Sequence, residues 1–227
     1  MKPTIKLAVL AGLTLASALP AGAITWRSQY YNLTAARDFG RDHGSFTGTG
    51  HNWSCTGNLI LQKNRVLTAA HCPQGSSWTV RTHGATGVSS SVAKSDQDVR
   101  LVKLNANNGG SPVQLWDNGS EPGKTFHKAG YGRYGAIDNV SAGTWMGAGE
   151  PLAGHNTYTE NSGNTVRFVL KTNAYSVGTA PGDSGGPGLM KLANGQWSIS
   201  STTMGPGSGY YNDSRVWHAR NWILQNL

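Results

Sequence analysis

The sequence predicts a mostly β protein built from two antiparallel barrels or sandwiches, followed by one C-terminal helix. Short segments that alternate apolar and polar residues recur along the chain, and helical periodicity is nearly absent before Asp213. Many short strands with few helices are typical of antiparallel barrels and sandwiches. A stretch rich in Asn, Gly, Pro and Ser, at 105–123, is the best candidate for a linker between two halves.

The first 23 residues are typical of a secretory signal peptide. Lys2 and Lys6 precede an apolar run from about Leu7 to Leu19, and small residues follow as far as Ala23. This run is too short for a membrane span, and no later run approaches the roughly eighteen apolar residues that a span needs. We therefore expect cleavage after Ala23, secretion to the extracellular space or periplasm, and a mature protein outside the membrane.

The remaining chain divides into two halves. We assign 24–108 to the first barrel, with the residues up to about Ser45 being either mature chain or a short pro-segment, and 109–227 to the second barrel and the terminal helix. Strand-period segments are NLILQ, RVLTAA, SWTVRT and DVRLVKL in the first half, and KTFHKAGYG and NTVRFVLKT in the second. Asn194-Gly195 predicts a hairpin. Apolar residues three or four apart predict the terminal helix: Val216, Ala219, Ile223 and Leu227.

The net charge of +8 does not indicate a nucleic-acid partner. Lys and Arg are scattered singly, without basic runs or interleaved aromatic residues. We expect a basic, solvated surface with at most a mild attraction to acidic polymers. No H-E-x-x-H or clustered Cys/His pattern is present, so neither a metal nor another cofactor is expected.

Cys55 and Cys72 are the only cysteines of the chain. An exported protein folds in an oxidising compartment, where such a pair most simply forms a disulfide. The bond would close a loop for which chain-entropy estimates give roughly 3 kcal/mol. The alternative is a catalytic cysteine beside His71.

Three segments contain residues that could carry chemistry. PGDSGGP, from Pro181 to Pro187, sets an aspartate and a serine among three glycines, which allow sharp turns and close approach. Its plain alternative is a tight surface loop whose serine is incidental. VLTAAHC presents His71 at the end of a strand, and DVRLVKL opens with Asp98.

These three segments, in this order, resemble the chymotrypsin-like (trypsin-fold) serine endopeptidases. TAAHC at 68–72 and GDSGGP at 182–187 match the family letter for letter, with a partner cysteine upstream. The resemblance covers nearly all of the chain after the leader. It implies two antiparallel six-stranded β-barrels with the site in the cleft between them, and an endopeptidase that acts on proteins or peptides.

The resemblance also implies a role for each candidate residue. His71 would be the general base, Ser184 the nucleophile, and Asp98 the carboxylate that orients and stabilises the imidazole. Asp96, on the same side of the strand, is the rival for that last role. Backbone N–H groups of Gly182 and Ser184 would form the oxyanion hole, in which each donor is worth about 3 kcal/mol of barrier.

The resemblance also implies the position of a specificity pocket. Its floor falls at Gly178 and its walls near Gly205 and Gly209. Thr179 occupies a position that some glutamate-cutting members use, but the histidine that those members add is Thr202 here. A neutral, open pocket predicts cleavage after uncharged residues, apolar or aromatic.

Asp183 requires a partner, because a buried carboxylate left unpaired costs several kcal/mol. In family members activated from a zymogen the partner is a new chain terminus, and in some bacterial members it is an internal arginine. Ile24 would be the terminus after cleavage at Ala23, although ITWRS lacks the glycines usual there. Ala180 stands where the family has a cysteine of a second disulfide, which predicts looser pocket walls.

Two other interpretations fit parts of the sequence. The segment from Gly182 to Gly186 also satisfies the G-x-S-x-G elbow of α/β-hydrolases, and Asp213 and His218 follow in the order of that fold. Too few residues remain after Ser184, however, for the strand-helix units that the elbow needs. The second alternative is a catalytically silent family member that binds a protein or an acidic glycan, although a binding module needs no catalytic residues.

Overall fold

The computed structural model describes residues 24–227, apart from 28, 30, 43–45, 82, 137–144 and 148. The predicted signal peptide lies outside the described residues. Within them, no helix has the length and apolar character needed to cross a membrane. The fold is mostly β with two helices, which confirms the predicted trypsin-like class.

Strands and helices follow one another in three groups along the described chain. The N-terminal segment contains β1 (Thr25–Trp26) and α1 (Leu33–Asp42). The first barrel contains β2 (Thr49–His51), β3 (Thr56–Leu59), β4 (Arg65–Thr68), β5 (Ser77–Val80), β6 (Ala85–Ala93) and β7 (Arg100–Leu104). The second half contains β8 (Gln114–Leu115), β9 (Thr125–Gly130), β10 (Gly135–Ala136), β11 (Leu152–Thr157), β12 (Glu160–Ser162), β13 (Thr165–Phe168), β14 (Val177–Gly178), β15 (Pro187–Lys191), β16 (Trp197–Pro206), β17 (Tyr211–Arg215) and α2 (Val216–Gln225).

The first barrel is closed by antiparallel ladders in the order β2-β3-β4-β7-β6-β5, with β5 returning to β2. Its interior is filled by side chains that alternate inward along the strands, among them Leu59, Trp78 and Val102. Four of its strands were predicted from their apolar alternation. Strand β6 was not predicted, because its sequence ATGVSSSVA is rich in serine and most of its side chains are at least partly exposed.

The second half is organised around six strands in the order β11-β9-β15-β16-β17-β13. Two short strands extend this set: β12 continues the order beyond β13, and β8 lies parallel to β16. The sheet therefore contains eight strands. Seven of them form an order that ends at β11 and β12, whereas a closed barrel of six strands was expected. The Asn194-Gly195 hairpin between β15 and β16 is confirmed, with Gly195 at φ +80°.

The terminal helix α2 buries Val216, Ala219 and Ile223, the stripe that the periodicity predicted, and it ends before Leu227. Helix α1 was not predicted, although its sequence LTAARDFGRD places the buried residues Ala36 and Phe39 three positions apart on one face. The Asn32 side chain caps α1 by accepting a hydrogen bond from the Ala35 N–H.

The N-terminal segment packs against the second half of the chain. Strand β1 lies between β10 and β14, parallel to the first and antiparallel to the second. Trp26 stacks on Tyr134 with 6.2 Å between ring centroids, and Tyr31 donates a hydrogen bond to the Ala153 carbonyl of β11. These contacts bring Ile24, which directly precedes β1, to the loop that contains Ser184.

Candidate active site

Three side chains from distant parts of the chain form one hydrogen-bonded series. His71 follows β4, Asp98 precedes β7, and Ser184 lies in the loop between β14 and β15. The His71 Nε2 atom is 2.8 Å from Ser184 Oγ, and His71 Nδ1 is 2.7 Å from Asp98 Oδ2. The other carboxylate oxygen of Asp98 accepts a hydrogen bond from the His71 backbone N–H at 2.9 Å, so the carboxylate holds both ring and backbone.

Asp96, the rival carboxylate, lies away from this series. Its side chain is 73% exposed and pairs with Lys94. Because that pair occupies its carboxylate at the surface, the structure brings Asp98 and not Asp96 to His71.

The hydrogen bonds between His71 and Asp98 shift the pKa of both groups. The bond to Asp98 raises the pKa of His71 above its usual value, although partial burial opposes this shift. Burial acts to raise the pKa of Asp98, but the hydrogen bonds from the ring and backbone N–H of His71 outweigh it and leave the Asp98 pKa below its usual value. The histidine is thus a stronger base than a free imidazole.

The glycines around Ser184 are required by the backbone path and by close packing. Gly182 adopts φ +96° and Gly185 φ +76°, both in the region that favours glycine. A Cβ at Gly185 would clash with Thr68 and with the backbone of β3. The first barrel therefore packs directly on the serine loop, and Thr56 N–H donates to the Ser184 carbonyl at 2.9 Å.

Two backbone N–H groups of this loop are available for a ligand. Among the described residues, the N–H groups of Gly182 and Ser184 make no backbone hydrogen bond, whereas their neighbours at Asp183 and Gly185 do. Gly182 is further fixed because its carbonyl accepts a hydrogen bond from the Thr56 hydroxyl at 3.0 Å. These are the two donors expected for an oxyanion hole.

Asp183 is fully buried and is surrounded by backbone donors. Its Oδ2 accepts from Ile24 N at 2.9 Å and from Ala180 N at 2.8 Å, and its Oδ1 accepts from Gly132 N at 3.0 Å. Burial raises the pKa of Asp183 to about 7, against the opposing effect of these hydrogen bonds and of the more distant Lys128. No arginine is among its hydrogen-bond partners in the described chain.

The predicted pocket residues lie on β14 and on the β16–β17 hairpin. Gly178 is buried against the ring of Tyr211, which would clash with any Cβ at that position. Thr179 is also buried. Gly205 lies near the end of β16 and Gly209 in the turn that follows, and a Cβ at either would meet no atom within 4 Å.

Comparison with known proteins identifies the family. The trypsin family model matches residues 41–223, which is most of the chain. The chain belongs to the trypsin family. Among solved structures, it resembles neuropsin, a serine protease of mouse brain, with a TM-score of 0.63, 16% identity, and coverage of 81% of this chain and 95% of neuropsin. It also resembles the granzyme GrC, with a TM-score of 0.57, 20% identity, and coverage of 76% and 86% respectively. No curated protein matched the sequence.

The protein has one disulfide. Cys55 and Cys72 are bonded, with 6.1 Å between their Cα atoms, which confirms the predicted pairing and excludes the free catalytic cysteine. Ala180 is buried at the position expected for a second disulfide. In the described part of the chain, no group of three or more His, Cys, Asp or Glu side chains could hold a metal ion.

The α/β-hydrolase alternative does not fit the structure. Ser184 lies between two β-strands, whereas an elbow joins a strand to a helix. Of the two later residues that could complete that site, Asp213 is bound to Lys128, and His218 is exposed on α2.

A buried charge pair in the second half was missed by the sequence analysis. Lys128 Nζ and Asp213 Oδ2 are 2.5 Å apart, both side chains are fully buried, and the ammonium also lies 5.6 Å from the centre of the Phe168 ring. The Ser201 hydroxyl donates to the same carboxylate at 2.6 Å. Burial lowers the pKa of Lys128, and the attraction of Asp213 partly offsets this effect. Lys128 in the inward register of β9 was a visible signal, but its partner is 85 residues away.

Proposed function

We propose that this protein is a secreted serine endopeptidase that hydrolyses peptide bonds through Ser184, His71 and Asp98. The observation that carries the proposal is the continuous series from Ser184 Oγ through both ring nitrogens of His71 to the Asp98 carboxylate, with separations of 2.8 and 2.7 Å. Both separations lie within hydrogen-bonding distance, so a proton can pass from hydroxyl to imidazole while the carboxylate holds the ring.

In the first step Ser184 Oγ attacks the carbonyl carbon of the scissile bond as its proton moves to His71 Nε2. Asp98 keeps the Nδ1–H of the ring directed toward itself and stabilises the imidazolium that forms. The carbonyl oxygen becomes an oxyanion, which the free N–H groups of Gly182 and Ser184 would stabilise.

The tetrahedral intermediate then collapses as the C–N bond breaks. His71 gives its proton to the leaving amine, and the acyl group remains bound to Ser184 Oγ as an ester. A water molecule attacks this ester, with His71 again acting as base, and the returned proton restores the serine hydroxyl. Neither half of the cycle requires a metal or an organic cofactor.

For specificity, we infer cleavage after uncharged residues, apolar or aromatic. Support comes from Gly178, which carries no acidic group, and from the Tyr211 ring that covers it. The neighbouring Thr179 is uncharged as well, so this part of the pocket offers no counter-ion for Lys or Arg. Strong cleavage after arginine in a peptide library would refute this inference.

For activation, we infer that cleavage after Ala23 creates an α-ammonium group at Ile24 that pairs with Asp183. The Ile24 nitrogen lies 2.9 Å from Asp183 Oδ2, and the Ile24 side chain is fully buried. A positive charge at this nitrogen would stabilise the carboxylate, whose pKa is otherwise raised by burial.

This proposal predicts the mature terminus. N-terminal sequencing of the secreted protein should begin at Ile24.

Labelling with a fluorophosphonate tests the catalytic proposal. We expect the mature protein to be labelled once, at Ser184, and Ser184→Ala to abolish both labelling and peptide hydrolysis. Ser120→Ala, which removes an exposed hydroxyl in the linker, is the matched control and should be labelled like the wild type. If the folded wild type is not labelled but binds heparin tightly, the catalytically silent binding protein is the correct alternative.

A further inference from the structure

Asp98 lies in the turn between β6 and β7, at 94–99, which we call the aspartate turn. The ends of this turn are joined by the Lys94 N–H, which donates to the Val99 carbonyl at 2.9 Å. The Val99 N–H donates in turn to the Gln97 carbonyl at 2.7 Å, so Asp98 is the central residue of a three-residue turn. The direction of the Asp98 side chain therefore depends on how the backbone on either side of it is held.

The Gln97 side chain attaches the aspartate turn to the second half of the chain. Gln97 is polar but only 7% exposed. Its Nε2 donates to the Arg215 carbonyl at 2.8 Å and to the Asn164 carbonyl at 3.3 Å, which lie 118 and 67 positions away. Both partners are acceptors, so only an N–H donor at this position satisfies them. Gln97 thus joins the first barrel to β17 and to the residue before β13.

Two further side chains of the second half bind the aspartate turn on either side of Gln97. The Ser214 hydroxyl donates to the Asp98 carbonyl at 3.0 Å, and the Asn164 amide group donates to the Asp96 carbonyl at 3.0 Å. Three successive residues of the turn are therefore hydrogen-bonded to the second half of the chain. The position of Asp98 is linked in this way to how the two halves pack.

The strand that accepts the Gln97 hydrogen bond is itself fixed. The Arg215 guanidinium donates to both oxygens of the fully buried Glu121 carboxylate, at 3.2 and 2.8 Å. The same guanidinium donates to the carbonyls of Gly163 and Gly119, at 2.9 and 3.0 Å. Hydrogen bonds to charged groups are stronger than those between neutral groups, so Gln97 is bound to a rigid part of the fold.

The contact between Asp98 and His71 depends on the orientation of the carboxylate. One Asp98 oxygen accepts from the His71 ring at 2.7 Å and the other from the His71 backbone N–H at 2.9 Å. A carboxylate meets both donors only in one orientation. In enzymes, a displacement of about 1 Å at a reacting group can cost about 100-fold in rate.

We propose that Gln97, assisted by Ser214, is a positioning residue: it anchors the aspartate turn to β17 and so keeps both Asp98 oxygens on His71. The proposal rests on the endopeptidase activity proposed above. Gln97 acts through Asp98 and does not touch the substrate. The alternative is that Gln97 only joins the two halves of the fold, with no effect on the carboxylate.

Gln97→Met tests this proposal, because methionine has a similar length but no N–H donor. The substitution changes no charge, and the charged side chains nearest the turn are already paired, Lys94 with Asp96 and Arg215 with Glu121. Two measurements report the contact between Asp98 and His71. The first is the pH dependence of kcat and KM for the methyl ester of an N-blocked aromatic amino acid. The second is the proton NMR signal of the His71 Nδ1–H, together with the NMR titration of the ring.

We expect Gln97→Met to lower kcat by about 10- to 100-fold and to change KM by less than about threefold. The acid limb of the pH–rate profile should move to lower pH, because the hydrogen bond from Asp98 raises the pKa of His71 and that bond is weakened. The Nδ1–H signal should move to higher field as the bond lengthens. Ser214→Ala should produce smaller changes in the same directions.

Asn156→Leu is the matched control. The buried Asn156 amide also donates to two backbone carbonyls, those of Val169 and Val177, each at 2.9 Å, but it lies on β11. Its loss should lower the free energy of unfolding in urea titration, as the loss of the Gln97 amide should. The ring titration and the Nδ1–H signal of His71 should stay as in the wild type.

Three outcomes would overturn the proposal or separate it from the peptidase proposal. If Gln97→Met is less stable but keeps the wild-type kcat, acid limb and Nδ1–H signal, Gln97 only joins the two halves. If Gln97→Met does not fold, Ser214→Ala decides, and unchanged values in that variant overturn the positioning role. If the folded wild type does not hydrolyse the ester, the peptidase proposal fails, and the NMR titration of His71 alone then supports or overturns the positioning of Asp98.

Discussion

Blocking the amino group of Ile24 should inactivate the enzyme without removing any side chain. One glycine inserted between Ala23 and Ile24 would leave the mature chain with a neutral amide where the ammonium is proposed. The nitrogen is 2.9 Å from Asp183 Oδ2. At an effective dielectric constant of about 20, two unit charges at this separation attract by about 6 kcal/mol.

Part of this attraction is offset by the cost of burying the ammonium, which is several kcal/mol. We therefore expect a net loss of about 2–4 kcal/mol, which corresponds to a fall of about 30- to 1,000-fold in kcat/KM. The assay is hydrolysis of a small ester by protein whose N-terminal glycine has been verified by mass spectrometry. Ile24→Val with a free terminus is the matched control and should lose fivefold or less, because one buried methylene is worth about 1 kcal/mol.

The stability of the blocked protein provides a second measurement. With a neutral Ile24 amide, burial raises the pKa of Asp183 to about 7 in the folded state, from its ordinary value of 3.8. Between these values the folded chain binds more protons than the unfolded chain, so its free energy of unfolding should fall as pH rises from about 4 to about 7, by up to about 4 kcal/mol. The free-terminus protein should show a smaller fall. A verified glycine-extended enzyme with more than a third of wild-type activity would refute the proposed charge pair.

Three further substitutions test other parts of the site. Asp98→Asn should lower turnover by about 10⁴. It should also move the acid limb of the pH–rate profile to lower pH, because Asp98 raises the pKa of His71 and the base must be neutral to act. An acid limb that does not move would contradict this role. Gly178→Asp should lower the melting temperature without producing cleavage after arginine, since the Tyr211 ring occupies the space that a side chain would need there. Cleavage after arginine by this variant in a peptide library would show that the pocket is more open. Lys128→Met should lower the free energy of unfolding, measured by urea titration, by about 3–5 kcal/mol. Neutralising its carboxylate partner as well should restore part of this free energy. An unchanged free energy of unfolding in Lys128→Met would mean that the buried pair is not charged.

Local patterns predicted much of the fold because strand and helix periodicity depends on neighbouring residues. The alternation in RVLTAA and DVRLVKL corresponds to β4 and β7, and the spacing in the terminal segment corresponds to α2. Elements whose stability comes from their tertiary contacts gave weak signals. Strand β6, for example, is serine-rich and is held by pairing on both sides.

In the candidate site, too, some residues were identified from local sequence motifs and others only from tertiary contacts. Letter-for-letter motifs indicated His71 and Ser184, and the family resemblance favoured Asp98, which opens DVRLVKL. The structure separates these two carboxylates, Asp98 and Asp96, which fall on the same side of a strand in the sequence pattern, because Asp98 contacts the imidazole and Asp96 does not. In the folded protein, Lys94 pairs with Asp96 at the surface.

By itself, the sequence determined which residues are chemically able to act and that two cysteines would pair, since motif spacing and composition are properties of the chain. The tertiary structure decided which groups meet across long separations. Ile24 reaches Asp183 across 159 positions, and Lys128 reaches Asp213 across 85. No local periodicity encodes such pairs, because their contact energies arise only when the barrel and the second sheet bring distant strands together and exclude water from between them.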